Sequence, residues 1–226
     1  MTLALVLPSR ESAEQPSTQV PIAGVQNTDA PQATDSPSDG RVMVTFLGDS
    51  FTSGSRQDSG VESRYPYLVG EALGIDVHSA GLGGAGYTTE GTAGETFSSL
   101  VTRIHVDSQA IVVFGSAKDR SGYDAVFEAA SSMYEVIESR FPDAELIIVG
   151  PAPIGAVTGA DVADSVRALS DAAAGAGATF VDATDWLSGD PSLLGNDRVH
   201  PNDAGHALMA TKFESVVRDV LADDLG

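Results

Sequence analysis

From Arg41 to the C-terminus, short apolar runs alternate with segments in which apolar residues recur at helical spacing. Runs rich in Val, Ile and Phe are typical of buried strands, and strands that alternate with helices indicate a parallel sheet with crossover helices. The pattern predicts strands at residues 42–47, 75–79, 110–114, 145–149 and 178–182. It predicts helices at residues 62–73, 91–104, 123–140, 160–175 and 203–222.

Five strands in this alternation predict a flavodoxin-like fold, a three-layer α/β/α sandwich around a five-stranded parallel sheet. In such sheets ligands bind beyond the carboxyl ends of the strands. Every unusual segment of the chain follows the end of a predicted strand, so we expect these segments to meet at one edge. They are Gly48-Asp49-Ser50, the glycine segment 81–86, Gly115-Ser116-Ala117-Lys118-Asp119, the segment 151–155, and the loop that contains Asp197 and His200.

The charge of the chain limits its partners. It has 32 acidic and 12 basic residues, which give a formal net charge of −20. Such a surface repels phosphate polymers and anionic bilayers, so nucleic acid is not an expected partner. The chain has no cysteine, which excludes disulfides and thiolate zinc sites.

Residues 1–40 form a segment rich in Pro, Ser, Thr, Gln, Ala and Asp with no sustained apolar period. This composition predicts a disordered tail or linker, and residues 41–226 are then a single domain. The apolar run at residues 2–7 is far shorter than the roughly 20 residues that a membrane span requires. Two interpretations stay open, a flexible N-terminus and the remnant of a signal peptide.

Two segments carry residues suited to nucleophilic catalysis. Ser50 follows the first predicted strand, and Gly48 permits a sharp exit that would leave this serine exposed above the sheet. Near the other end, Asp197 and His200 stand three residues apart before the last helix. A serine needs an imidazole to take its proton, and the imidazole needs a carboxylate to orient it.

With Gly-Asp-Ser first and Asp-x-x-His last, the chain resembles the SGNH/GDSL hydrolase family from about residue 41 onward. The resemblance implies a serine esterase that needs no cofactor, with Ser50 as nucleophile, His200 as base and Asp197 as its orienting group. It places an oxyanion-stabilising N–H on Gly84, with Gly86 as the alternative. Expected substrates are short-chain acyl esters or acetylated carbohydrates, and the expected protein is a monomer outside the cell or at its surface.

The resemblance is weakest at residues 115–119. The family usually has Gly-x-Asn-Asp there, and its asparagine donates a hydrogen bond to the oxyanion. Lys118 takes that position in this chain. A lysine can donate a hydrogen bond and carries a positive charge, but its long stem is less preorganised. A weakened enzyme that serves as a binding module is therefore an alternative function.

A second alternative is a dinucleotide-binding enzyme, because Gly81, Gly83 and Gly86 fit the spacing of the nucleotide fingerprint. The glycines follow the second predicted strand rather than the first, and the acidic chain disfavours a pyrophosphate. The histidines at positions 78 and 105 are predicted to be structural, whereas His206 could line the site. No set of His, Asp and Glu shows the spacing of metal ligands, so no metal is expected.

Overall fold

The computed structural model describes residues 40–55 and 57–225. Its sheet has five strands, all parallel, in the order β2-β1-β3-β4-β5. This order is the flavodoxin-like one, so the predicted fold class is confirmed. The strands are Met43–Gly48 (β1), Asp76–Gly81 (β2), Ala110–Phe114 (β3), Glu145–Val149 (β4) and Thr179–Val181 (β5).

The helices alternate with the strands as predicted, and three of them are long. They are Ser50–Ser53 (α1), Tyr65–Leu73 (α2), Phe97–Leu100 (α3), Tyr123–Arg140 (α4), Gly159–Gly175 (α5), Asp203–Val220 (α6) and Ala222–Leu225 (α7). Short 3-10 turns lie at Val61–Ser63, Val101–Arg103 and Pro191–Leu193. Asn202 caps α6, because its side chain accepts a hydrogen bond from the Gly205 N–H at 3.0 Å.

The helix predicted at residues 91–104 is wrong for most of its length. Only Phe97–Leu100 is α-helical, followed by a 3-10 turn. Gly94 has a φ of +70°, which is not a right-handed helical conformation. A Cβ at Gly91 would lie 2.8 Å from both the Ala85 nitrogen and the Gly83 carbonyl oxygen, so the chain packs closely here. Close packing of this segment against the glycine loop therefore replaces the first two turns of the predicted helix.

Two apolar clusters cover the two faces of the sheet. Phe46 packs in the cluster that includes side chains of α2 and α6, whereas the next residue, Leu47, packs in the cluster that includes α4 and α5. Successive residues of a strand point to opposite faces, so burial of both shows that the sheet is the central layer. The helical layers leave the carboxyl edge of the sheet to its loops.

The segment 1–40, predicted to be a tail or linker, lies outside the described residues except for Gly40. Within residues 40–55 and 57–225, no helix is long and apolar enough to cross a membrane.

Candidate active site

Ser50 lies where the chain leaves β1, at the first residue of α1. Gly48 ends β1 and has no room for a side chain, because a Cβ would lie 2.8 Å from the Phe114 carbonyl oxygen and closer still to the Thr52 hydroxyl. Asp49 then caps α1 by accepting a hydrogen bond from a backbone N–H of that helix at 2.9 Å. This turn places Ser50 at the carboxyl edge of the sheet, as predicted, but the serine is buried rather than exposed, with 5% of its surface accessible.

The structure brings Ser50, His200 and Asp197 into one chain of hydrogen bonds. The His200 Nε2 atom is 3.0 Å from the Ser50 Oγ, and the Nδ1 atom is 2.8 Å from the Asp197 Oδ2. The Phe51 ring packs against the imidazole in a T-shaped arrangement, with 6.1 Å between ring centroids. An imidazole held in this way can take a proton from the serine while the carboxylate stabilises the positive charge.

The Asp197 carboxylate is fixed within its own loop as well as by His200. Its Oδ1 atom accepts hydrogen bonds from the backbone N–H groups of Val199 and His200, both at 3.0 Å. Partial desolvation acts to raise the pKa of Asp197, but the hydrogen bonds from His200 and from these two N–H groups outweigh it and lower the pKa to about 2. Asp197 is therefore ionised throughout the neutral range.

The Asp49 carboxyl group is buried and is held by hydrogen bonds from two loops. Burial raises the pKa of its carboxyl group, while hydrogen bonds from the Phe51 N–H and the Ser116 hydroxyl, together with the charge of Lys118, act to lower it. The Ser116 hydroxyl donates to the Asp49 Oδ2 at 3.1 Å. Asp49 thus joins the loop after β1 to the loop after β3.

The two glycines expected to act on an oxyanion, Gly84 and Gly86, both lie in the loop after β2, but their N–H groups differ in whether they already have a partner. The Gly86 N–H donates to the Thr89 carbonyl oxygen at 2.8 Å, so it has a partner within the loop. Gly84 has a φ of +79°, and its N–H donates to no other group among the residues that the structure describes. Of the two candidates, only Gly84 therefore offers an N–H that is available to a substrate.

Asp119 holds this loop, a role that sequence reasoning missed. Its fully buried carboxylate accepts hydrogen bonds from the Tyr87 N–H at 2.7 Å, and from the Thr88 N–H and hydroxyl, both at 2.9 Å. A Cβ on Gly86 would lie 2.5 Å from one of its oxygens. The absence of a side chain at Gly86 therefore lets the Asp119 carboxylate approach the backbone. Asp119 is 33 residues later in the chain, so the reason for a glycine at this position is a tertiary contact.

Lys118 is exposed and lies beside the glycine loop. Its Nζ atom is 3.4 Å from the position that a Cβ on Gly84 would take. Within the described part of the chain, its ammonium group has no carboxylate within 4 Å. The structure thus brings together the lysine and the glycine that the family resemblance singled out for the oxyanion.

Ser50, His200 and Lys118 line a cavity of about 920 Å³. The apolar part of its wall is formed by Ile154, Val157, Leu194 and Val199. The cavity is also lined by Ser50, His200, Asp197, Asp49, Lys118, Arg120 and Arg198. The two arginines carried no signal in the sequence, since each is a single charged residue in a loop.

The remaining histidines lie away from this cavity. Burial lowers the pKa of His78, whose ring packs against His105 with 5.9 Å between centroids. His206 is fully buried and does not line the site, because it stacks on Tyr65 and accepts a hydrogen bond from the Tyr65 N–H at 3.3 Å. Among residues 40–55 and 57–225, no three His, Asp or Glu side chains are grouped as metal ligands.

The fold agrees with what comparison with known proteins finds. Residues 46–208 match the GDSL-like Lipase/Acylhydrolase family, which is more than half of the chain. The chain belongs to this family, and it is an ester hydrolase by class.

Several individual proteins are similar to it. A GDSL lipase of Mycobacterium tuberculosis is 32% identical over 189 residues, which cover 77% of this chain and 80% of that lipase. A family two carbohydrate esterase from Cellvibrio japonicus superposes with a TM-score of 0.65 at 17% identity, over 82% of this chain and 62% of the other. A family two carbohydrate esterase from Clostridium thermocellum, solved in complex with cellohexaose, superposes with a TM-score of 0.63 at 18% identity, over 80% of this chain and 65% of the other. The likeness to these two structures shows a shared fold.

Proposed function

We propose that this protein is a serine esterase that cleaves carboxylic esters through an acyl-enzyme intermediate, with Ser50, His200 and Asp197 as its catalytic triad. The observation that carries the proposal is the continuous hydrogen-bonded chain from the Ser50 hydroxyl to the Asp197 carboxylate at the wall of a cavity. Three side chains from two distant loops meet there with the spacing that proton transfer requires.

The reaction follows from these positions. The Ser50 Oγ attacks the ester carbonyl carbon as His200 Nε2 takes the hydroxyl proton, and the carbonyl π electrons move onto oxygen. When the tetrahedral intermediate collapses, the bond to the alcohol oxygen breaks and His200 returns the proton to that oxygen. A water molecule then attacks the acyl-serine with the same histidine as base, which releases the acid and restores Ser50.

The oxyanion that forms in both halves of the reaction needs donors. The N–H groups of Ser50 and Gly84 donate to no other group in the described residues, and we assign both to the oxyanion. The Lys118 ammonium group beside Gly84 is the third donor. Gly86 has a structural role in this proposal, because its N–H donates to Thr89.

The substrate class rests on the cavity and on the similar proteins. The apolar wall formed by Ile154, Val157 and Leu194 suits a short acyl group or the apolar part of an alcohol. Carbohydrate esterases share the fold, which supports an acetylated carbohydrate as one candidate. Location outside the cell remains a prediction from residues 1–40.

A fluorophosphonate probe together with an aryl acetate assay tests the proposal. We expect the probe to label Ser50, identified by mass spectrometry of the labelled peptide, and we expect Ser50→Ala to lose labelling and hydrolysis together. Ser55→Ala is the matched control, which should keep both. If the folded parent protein is neither labelled nor active, the alternative of a binding module that has lost catalysis is favoured.

A further inference from the structure

The cavity beside Ser50 has a charge balance opposite to that of the whole protein. Among the residues that the structure describes, three basic ones line it, namely Lys118, Arg120 and Arg198, against two acidic ones, Asp49 and Asp197. In a chain with a net charge of −20, this concentration of positive charge requires an explanation.

Of the six other arginines that the structure describes, four are paired with acids, whereas Arg64 and Arg140 have no carboxylate within 4 Å among these residues. Arg41 binds Asp76 at 2.9 Å. Three more ion pairs join Arg103 to Glu95, Arg167 to Asp164, and Arg218 to Glu214. By contrast, neither arginine of the cavity has a carboxylate within 4 Å among the residues described here.

The acids near these arginines are already engaged. Asp161 is close enough to Arg120 for the arginine's charge to act on it, but its carboxylate caps α5 through the Thr158 N–H and hydroxyl at 2.8 and 2.7 Å. The two acidic residues of the cavity wall are also bound, Asp49 in the turn after β1 and Asp197 to His200. Arg120 and Arg198 thus keep their charged hydrogen-bond donors for a group that enters the cavity.

We propose that the natural substrate is an ester that carries a carboxylate, and that Arg120 and Arg198 bind this carboxylate while the ester carbonyl lies at Ser50. The inference rests on the proposed esterase function and narrows its substrate class. A guanidinium group binds a carboxylate with two parallel hydrogen bonds, which fixes orientation as well as charge. The apolar wall of the same cavity holds the uncharged remainder of the ester.

Long-range electrostatics give the two arginines a second role. The net charge of the protein repels an anionic substrate at a distance, so such a substrate needs a local region of positive potential to reach the catalytic serine. In this cavity the three basic residues outnumber the two acidic ones, so its local field favours an anion more than the rest of the acidic surface does. The preference for an anionic ester should therefore weaken as salt is added, because the Debye length falls from about 10 Å at 0.1 M to about 3 Å at 1 M.

Two pairs of esters test the proposal, each differing in one charge. In the first pair the carboxylate is on the alcohol side: para-acetoxybenzoate and its neutral methyl ester. In the second it is on the acyl side: the para-nitrophenyl monoester of succinate and the corresponding diester capped with methyl. We expect kcat/KM to favour the anionic member in at least one pair, and the pair that shows it identifies the side of the ester that carries the charge.

The variants Arg120→Gln and Arg198→Gln should each lower the anionic-to-neutral ratio of kcat/KM by about tenfold, the effect of losing one hydrogen bond to a charged group. Lys212→Gln is the control, since it removes the same charge from the exposed face of α6 and should leave the ratio unchanged. Equal kcat/KM for both members of each pair, or a preference that survives both arginine substitutions, would overturn the inference.

The inference can fail separately from the esterase function. In the Ser50→Ala variant, calorimetry should show tighter binding of the anionic ester than of its neutral partner. If the parent protein hydrolyses neither ester but this difference in binding is present, the catalytic proposal is wrong and the anion site stands. If hydrolysis occurs and binding does not depend on charge, the esterase stands and the anion site is wrong.

Discussion

Asp119 offers a sharp test of how the glycine loop is held. In Asp119→Asn the side chain keeps its shape but has one oxygen in place of two. If that oxygen remains with Thr88, the new NH2 group faces the Tyr87 N–H, a donor in a residue that is 3% exposed. One hydrogen bond to a charged acceptor is then lost and two become weaker.

The cost can be estimated from these contacts. A hydrogen bond to a charged group contributes about 1.5–3 kcal/mol, so the substitution should lower the free energy of unfolding by about 2–4 kcal/mol. Displacement of the loop also moves Gly84, which lies three residues before Tyr87. Because this N–H is assigned to the oxyanion, kcat should fall by about tenfold or more while KM changes little.

Urea unfolding and steady-state kinetics measure the two effects. Asp107→Asn is the matched control, because it removes the same charge from a side chain that is 76% exposed and should change stability by less than about 0.5 kcal/mol. Unchanged stability in Asp119→Asn would refute the role of Asp119 in holding the loop. A loss of stability with normal kcat would instead refute the assignment of Gly84 to the oxyanion.

Three further predictions concern single side chains. Lys118→Ala should lower kcat by about 10²-fold with little change in KM, and Lys118→Asn should retain activity; equal turnover in Lys118→Ala and the parent would show that backbone donors suffice. Asp197→Ala should lower kcat by about 10⁴-fold, less than the roughly 10⁶-fold expected for His200→Ala, and initial rates that rank the other way would contradict the assigned roles. His206 is buried, which lowers its pKa to about 4, while Asp203 acts to raise it and Arg64 to lower it. Below the unfolded pKa of about 6.5 the unfolded chain therefore takes up a proton that the folded protein does not, and stability should fall by about 3 kcal/mol towards pH 4. Urea midpoints across this range should show a weaker dependence on pH in His206→Gln, and an equal dependence would place the effect elsewhere.

Local patterns in the sequence determined most of the fold. The apolar runs at residues 110–114 and 145–149 coincide with β3 and β4, because strands buried on both faces need continuous apolar residues. The bounds of α4 were also predicted from spacing. The hydrogen bonds between Asp197 and His200 are local as well, since residues three apart in one loop can meet without help from the rest of the chain.

The tertiary structure decided what depends on residues far apart in the chain. Ser50 and His200 are separated by 150 positions, and the family resemblance rather than any local pattern anticipated their hydrogen bond. The family resemblance made Gly86 an alternative oxyanion donor, yet in the structure this glycine leaves room for the Asp119 carboxylate and its N–H donates to Thr89. Gly91 and Gly94 lie in the first part of the helix predicted at residues 91–104, where the chain instead packs against the glycine loop.

The charged lining of the cavity shows the same division. The composition is strongly acidic, and nothing in the local sequence indicated that Arg120 and Arg198 would line the same cavity. Short-range patterns show which residues of one helix or strand are buried, because side chains return to the same face every 3.6 residues in a helix and every two residues in a strand. Which loops face each other follows from the order of the strands and the packing of helices on both faces, and those are properties of the assembled sheet.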